Sequence, residues 1–269
     1  MSSTAKALSL LKHFSTTLPE IGLSQLCRMA GRDKATTYRY LQALEIEGFV
    51  EQNPATKQYR LGPAVIQMAQ VREATVPRKS SAMSVLTALV EATGETAHVT
   101  VLSGTALYGL CECESQRHGT RAVIDNSVFP LHATGSGLCV LAYSGDDLLK
   151  VATKNMEAFT KSTPTTEAEL VDLIAATKAS GFGIGDQSFE DEIKGIAAPL
   201  FDHTGHLAGA LSVASVAARF TPDLERTIKA ELITAARQIT RNWGGAVPAA
   251  VEAAWATSVN QSTELDTTT

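Results

Sequence analysis

The segment from Ser24 to Leu61 constrains this chain more than any other. Ser24 caps a short helix through Ala30, with Leu26 and Met29 facing inward, and Gly31 then breaks the chain. Asp33 is the N-cap of a longer helix running to about Glu47, in which Thr37, Leu41 and Leu44 form one inward stripe. Two helices joined by about three residues around a glycine make a helix-turn-helix. An earlier helix starts after Ser3 or Thr4 and carries Ala7, Leu8, Leu11 and Phe14 at helical spacing. After Gly48 the period changes: Phe49 to Gln52 and Lys57 to Leu61 read as a hairpin, with Asn53 and Pro54 in its turn.

A helix-turn-helix sends the first turns of its second helix into the DNA major groove, where short donors and a guanidinium reach base edges and phosphates. Lys34, Thr36, Arg39 and Tyr40 lie outside the inward stripe in those turns and, with Thr37 between them, are the candidate contacts. The hairpin reads as a wing whose Lys57 and Arg60 hold flanking phosphates. Charge agrees: residues 1 to 80 hold 11 Lys and Arg against 6 Asp and Glu, whereas the remainder holds 12 against 22. A three-helix packing domain with a solvated charged face is the competing reading.

Gly62 and Pro63 open a helix through about Ala74 with Val65, Ile66, Ala69 and Val71 on its apolar side. It packs on its counterpart in a second subunit or on its own domain, and Val76-Pro77 marks a boundary. Elements then alternate irregularly. A helix spans about Arg78 to Thr93, strands Thr96 to Leu102, Ala106 to Cys113 and Arg121 to Asp125, and a helix starts near Gly135. Thr166 and Glu169 form a capping box for a helix ending at Gly181. Strands follow at Phe182 to Gln187, Ile193 to Phe201 and His206 to Val216, with Asp202 to Gly205 as a hairpin turn. Thr221 and Pro222 start a last long helix that ends near Gly244. This order predicts an α+β domain on an antiparallel sheet. The expected division is 1–62 reader, 63–76 linker helix, 77–244 second domain and 245–269 flexible tail, with at most a short helix near Ala249 to Ala256.

The chain has 269 residues and four cysteines, too few for a disulfide framework at this length. No apolar run nears the roughly 18 residues of a membrane span, and the N-terminus lacks signal-peptide features. A cytoplasmic protein with no membrane partner is expected.

The string GRDKATTYRYLQALEIEGFV, followed by YRLGP, GETAHVTVL, PLHATGSG and GIAAPLFDHTGHLAGALSV, resembles the IclR family of bacterial transcription regulators over roughly residues 5 to 244. The resemblance implies a winged helix-turn-helix, a linker helix and a GAF-like domain that binds a small metabolite. It further implies a homodimer or homotetramer that represses or activates catabolic operons. Carried over by position, it implies an effector pocket lined by Arg121, Phe129, Gly135, Ser136, Ile193, Gly195, Ser212 and Ala214. Gly135, Ser136 and Gly137 also stand on chemistry alone, since backbone N–H groups at a helix start suit a carboxylate, although close packing would equally use these glycines. Gly195 replaces a common cysteine and should enlarge the cavity. Arg121 offers a fork for a carboxylate or is solvated, while Asp186 and Glu190 keep a zwitterion open.

Apparent catalytic signals carry less. His203 and His206 sit at a turn without a metalloprotease helix, and Ser136 lies in Gly-Ser-Gly, not in a nucleophile elbow. Cys111 and Cys113 with His98 or His118 offer a metal site, but small core residues are the simpler reading, so neither metal nor cofactor is expected. A regulator without enzyme activity is the expectation. Its alternatives are a hydrolase using Ser136 and His132, and a ligand-free interaction scaffold.

Overall fold

A computed structural model of the chain describes residues 2–15, 17–123 and 128–264. The chain divides into two compact units, Met1–Pro77 and Arg78–Thr269.

Unit 1 begins with α1 (Ser3–Leu8), capped by the Ser2 hydroxyl, and runs into a 3-10 turn over Ser9–His13. The tighter winding changes which side chains face inward. Leu10 is fully buried, whereas Leu8, expected inside, is exposed. Helix α2 (Leu23–Ala30) opens two residues earlier than expected, with Gly22 as its cap, so Ser24 lies inside it, and Met29 is exposed. Its C-cap is Gly31 at φ +59°, the left-handed conformation that lets the chain turn into α3 (Lys34–Ile46). Leu26, Leu41, Leu44, Val50 and Tyr59 close one core. Strands β1 (Val50–Gln52) and β2 (Tyr59–Leu61) pair antiparallel, and Ile21 bridges to Tyr59 on the far side. The final helix of the unit is α4 (Pro63–Thr75), which buries none of its residues. Ile66, Met68 and Val71 stand exposed on it.

Unit 2 is a six-stranded antiparallel sheet with helices on both faces. It starts with α5 (Arg78–Thr93), β3 (Thr96–Ser103), β4 (Ala106–Cys113), the short β5 (Val128–Phe129) and α6 (Gly135–Tyr143). It continues through α7 (Asp146–Ala152), α8 (Glu167–Ser180), β6 (Gly183–Asp186), β7 (Ile193–Phe201), β8 (Leu207–Val216), α9 (Pro222–Asn242) and α10 (Ala249–Glu264). The strand order is β5-β4-β3-β8-β7-β6. Alternation along β3 sends Val99 to the face covered by α5 and α9, and His98 to the other. Thr166 caps α8 in a reciprocal capping box with Glu169, and Gly181 ends it at φ +77°.

Two expectations fail here, and one helix is unforeseen. Residues 121–123 form no strand, and 124–125 of that expected element lie outside the described residues. Helix α7 has no counterpart in the sequence reading. The tail expected to be flexible instead forms α10, anchored by Val251 and the fully buried Trp255. Its Ala-rich stretch has strong helix propensity, and the apolar pair four residues apart is enough to dock it.

Candidate functional site

Two surfaces carry chemistry, one in each unit. In unit 1, Asp33 caps α3 by accepting the Thr36 N–H at 2.8 Å, and that backbone hydrogen bond holds its carboxyl below the ordinary value. Beyond the cap, Lys34, Tyr38, Arg39 and Gln42 are exposed and Thr36 is half-buried. Gln42 Nε2 donates to Tyr38 Oη at 3.1 Å.

Thr37 and Tyr40 are not on that surface. Thr37 is fully buried and its hydroxyl donates to the Asp33 carbonyl oxygen at 2.9 Å; Tyr40 is 8% exposed in the core beside Leu41 and Leu44. A buried helix face is wider than a one-residue stripe, which draws Tyr40 inward. Tyr38 and Gln42 are absent from the expected set. The steps of four residues from Lys34 to Tyr38 and from Tyr38 to Gln42 are the signal that marks this face.

On the wing, Asn53 organises the turn by accepting from the Ala55 and Thr56 N–H groups, and Lys57 is exposed at φ +58°. Arg60 is already engaged: its Nε donates to Glu51 at 2.6 Å and its Nη1 to Glu20 at 3.4 Å. Two carboxylates therefore offset the charge expected to meet phosphate.

In unit 2, the start of α6 lies hard against β6. A Cβ on Gly135 would stand 2.8 Å from the Gly183 oxygen, and one on Gly185 would stand 2.9 Å from the Gly135 nitrogen. Only glycines permit this approach, so the close-packing reading of Gly135 holds. Thr134 caps the helix by accepting the Gly137 N–H at 3.0 Å, and Cys139 donates to the Ala197 oxygen across the seam at 3.1 Å. Burial pushes that thiol up to about 12, which makes it unreactive.

The helix start and the sheet enclose a cavity of about 60 Å³. Phe129, Gly135, Ser136, Ile193, Gly195, Ser212 and Ala214 all line it, together with Ala122, Val123, His98 and the 188–190 loop. A Cβ on Gly195 would meet only Ser212 Oγ at 3.8 Å and the Val213 oxygen at 3.9 Å, so the glycine leaves usable space. Arg121 and Asp186 do not line the cavity. Arg121 forks onto Glu114 at 2.7 and 2.9 Å, and Asp186 pairs with Lys194 at 3.2 Å.

Among the lining residues outside the expected set, His98 carries a titratable ring. It stacks on Phe129 with ring centroids 4.9 Å apart, and its Nε2 lies 3.4 Å from Ser136 Oγ. Desolvation lowers its pKa to about 4. A polar residue within the apolar alternation of β3 is the signal that could have found it.

The hydrolase pairing is not assembled. His132 Nε2 is bonded at 2.9 Å to the Glu157 carbonyl oxygen, and Ser136 faces His98 instead. His98 lacks a carboxylate partner at Nδ1 among the described residues and is a weak base, so the pair is not a triad. Among the described residues, no three His, Cys, Asp or Glu side chains gather as metal ligands, and no helix is long and apolar enough to cross a membrane.

Residues 3–54 match the family model of the IclR helix-turn-helix domain, and residues 74–241 match that of the bacterial transcriptional regulator IclR C-terminal domain. The chain belongs to the IclR family of bacterial transcriptional regulators. Among curated members, it is 28% identical to the HTH-type transcriptional regulator BhcR of Paracoccus denitrificans, covering 81% of this chain and 79% of that protein. It is 24% identical to XynR of Escherichia coli, covering 81% and 87%. A crystal structure described as an IclR transcriptional regulator from Silicibacter sp. TM1040 superposes with a TM-score of 0.87 at 39% identity, over 93% of this chain and 99% of that one. An IclR homolog from Microbacterium hydrocarbonoxydans, complexed with 4-hydroxybenzoate, shares the fold at a TM-score of 0.73 and 20% identity, over 90% and 99%. As an IclR-family member the protein is a DNA-binding transcriptional regulator with a helix-turn-helix and an α+β C-terminal domain.

Proposed function

We propose that this regulator binds an operator in duplex DNA through Lys34, Thr36, Tyr38, Arg39 and Gln42 of α3, with Lys57 on the flanking phosphates, and that a small organic acid in the unit 2 cavity controls it. The observation that carries the effector reading is the cavity itself: apolar walls from Phe129, Ile193 and Ala214, with the hydroxyls of Ser136 and Ser212 at its polar side. The relative solved with 4-hydroxybenzoate supports the same class of ligand. The exposed apolar side chains of α4 suit pairing with a second copy, and a symmetric dimer presents two recognition helices to an inverted repeat. Its genes are catabolic, it works in the cytoplasm beside the DNA, and it catalyses no reaction.

A ligand changes operator affinity only by binding two arrangements of the protein differently. Coupling of about 1 to 3 kcal/mol, reciprocal between operator and effector, is expected. The test is release of labelled operator by organic acids, compared between wild type and Ser136→Trp, whose indole fills the cavity. Release unchanged in the variant places the effector elsewhere.

A further inference from the structure

The cavity presents a charge problem to an entering carboxylate. An unpaired carboxylate taken out of water is costly, and it stays ionised only where a cation or strong donors meet it. No Lys or Arg is among the described residues that line the cavity. The basic side chains nearest to it in sequence are used elsewhere: Arg121 on Glu114, and Lys194 on Asp186 and over the Phe220 ring. The start of α6 adds a partial positive charge, but Thr134 already takes its Gly137 N–H.

His98 stands apart from these groups. Its ring lines the cavity, stacked on Phe129, and its buried Nδ1 has no hydrogen-bond partner among the described residues. An orphaned nitrogen in a buried ring is costly unless something comes to meet it. In the imidazolium form both nitrogens donate, Nε2 to Ser136 Oγ and Nδ1 to an arriving oxygen. The groups facing the ring from neighbouring elements are Ser136 on α6, Ser212 on β8, Glu112 opposite it on β4 and Glu190 in the 187–192 loop. None is a cation.

We propose that His98 is the specificity-determining residue of the cavity, and that it takes up one proton from solvent as the effector's carboxylate enters. This inference rests on the organic-acid reading of the cavity. The empty site keeps the ring neutral, since desolvation holds its pKa near 4. The bound carboxylate reverses that balance by supplying the opposite charge at hydrogen-bond distance. Selectivity follows: an amide or alcohol of the same shape brings no charge to hold the proton, and binds more weakly.

Calorimetry of the intact protein with 4-hydroxybenzoate, benzoate and pyruvate, in phosphate and in Tris, counts the protons taken up with each probe. About one proton per molecule and an affinity falling about tenfold per pH unit above about pH 5, up to the pH at which the bound ring titrates, are expected. H98Q should still bind, more weakly, without proton uptake. As a check that needs no variant to fold, the His98 ring-carbon NMR signal of the wild type should move to its imidazolium position when probe is added. Binding with no proton uptake overturns the inference while leaving the acid effector intact. Uptake that survives in H98Q and vanishes in E190Q assigns the proton to Glu190 and also overturns it. Failure of all three probes to bind removes the organic-acid reading and this inference with it.

Discussion

Trp255 and Gly181 are fitted to each other: the indole Nε1 donates to the Gly181 carbonyl oxygen at 2.8 Å, and the ring occupies the place where a Cβ on residue 181 would stand. Arg237 lies over the same ring at 5.9 Å and pairs with Glu252 on α10. The C-terminal helix is thereby part of the core of unit 2.

Trp255→Ala should destabilise unit 2 by about 3 to 5 kcal/mol, because it opens a cavity and strands the Gly181 carbonyl. Fluorescence of Trp243, the other tryptophan and also in unit 2, reports the urea midpoint. A midpoint equal to wild type would show that α10 contributes nothing to the fold.

The buried Glu95 carboxylate, 1% exposed, receives a bidentate grip from Arg219 at 2.7 and 2.8 Å. Arg219 also donates to the Thr120 oxygen at 3.2 Å, which ties down the segment leading to Ala122 at the cavity wall. Arg219→Met leaves the buried carboxylate with only His118 Nε2, 4.0 Å away, beside it, at a cost of roughly 3 kcal/mol. Adding Glu95→Gln should recover part of that loss, as thermal unfolding of the single and double variants would show. Equal losses that simply add would mean that the pair is not coupled.

Stability of unit 2 should fall with acid through His98. The unfolded ring titrates near 6.5 and the folded one near 4, so across that window the unfolded chain binds the extra proton. Stability is complete above about pH 6.5 and drops by on the order of 3 kcal/mol as pH approaches 4. Urea midpoints measured across this range should slope in wild type and flatten in His98→Asn. Parallel profiles would assign the acid sensitivity to other groups.

Arg39→Ala should abolish discrimination between operator and random duplex. Lys57→Ala should weaken both alike and reduce the salt slope by about one unit. Arg60→Ala should change the slope less than Lys57→Ala does, because Glu51 and Glu20 already offset its charge. Tyr40→Ala should act through lost core packing and lower the melting temperature of unit 1. Binding assays at several salt concentrations separate these outcomes, and equal slopes for Lys57→Ala and Arg60→Ala would contradict the ion-pair argument.

Most elements of this fold were legible because their signals are local. Asp33 before α3, the Thr166 and Glu169 capping box, Pro222 at the start of α9 and the strands Ala106–Cys113 and Ile193–Phe201 each depend on residues within a few positions of one another. The seven pocket positions that meet at one cavity follow from the family resemblance, whose motifs also run in order along the chain.

What escaped the sequence depends on burial and side-chain pairing that spacing does not fix, in most cases with partners far along the chain. Arg121 was free to point into the pocket until the fold brought Glu114 to its fork, and Tyr40 is inward because the core of unit 1 is wider than a single stripe. His98 became a pocket residue only when β3 was set beside β8 and Phe129 was laid over its ring. Trp255 found its place 74 residues from the glycine that admits it. Spacing and capping determine where helices and strands begin and which residues can share a face. Which of those residues lose water, and which charges meet, is decided by packing between distant segments, because burial and pairing are properties of the assembled neighbourhood and not of the residue.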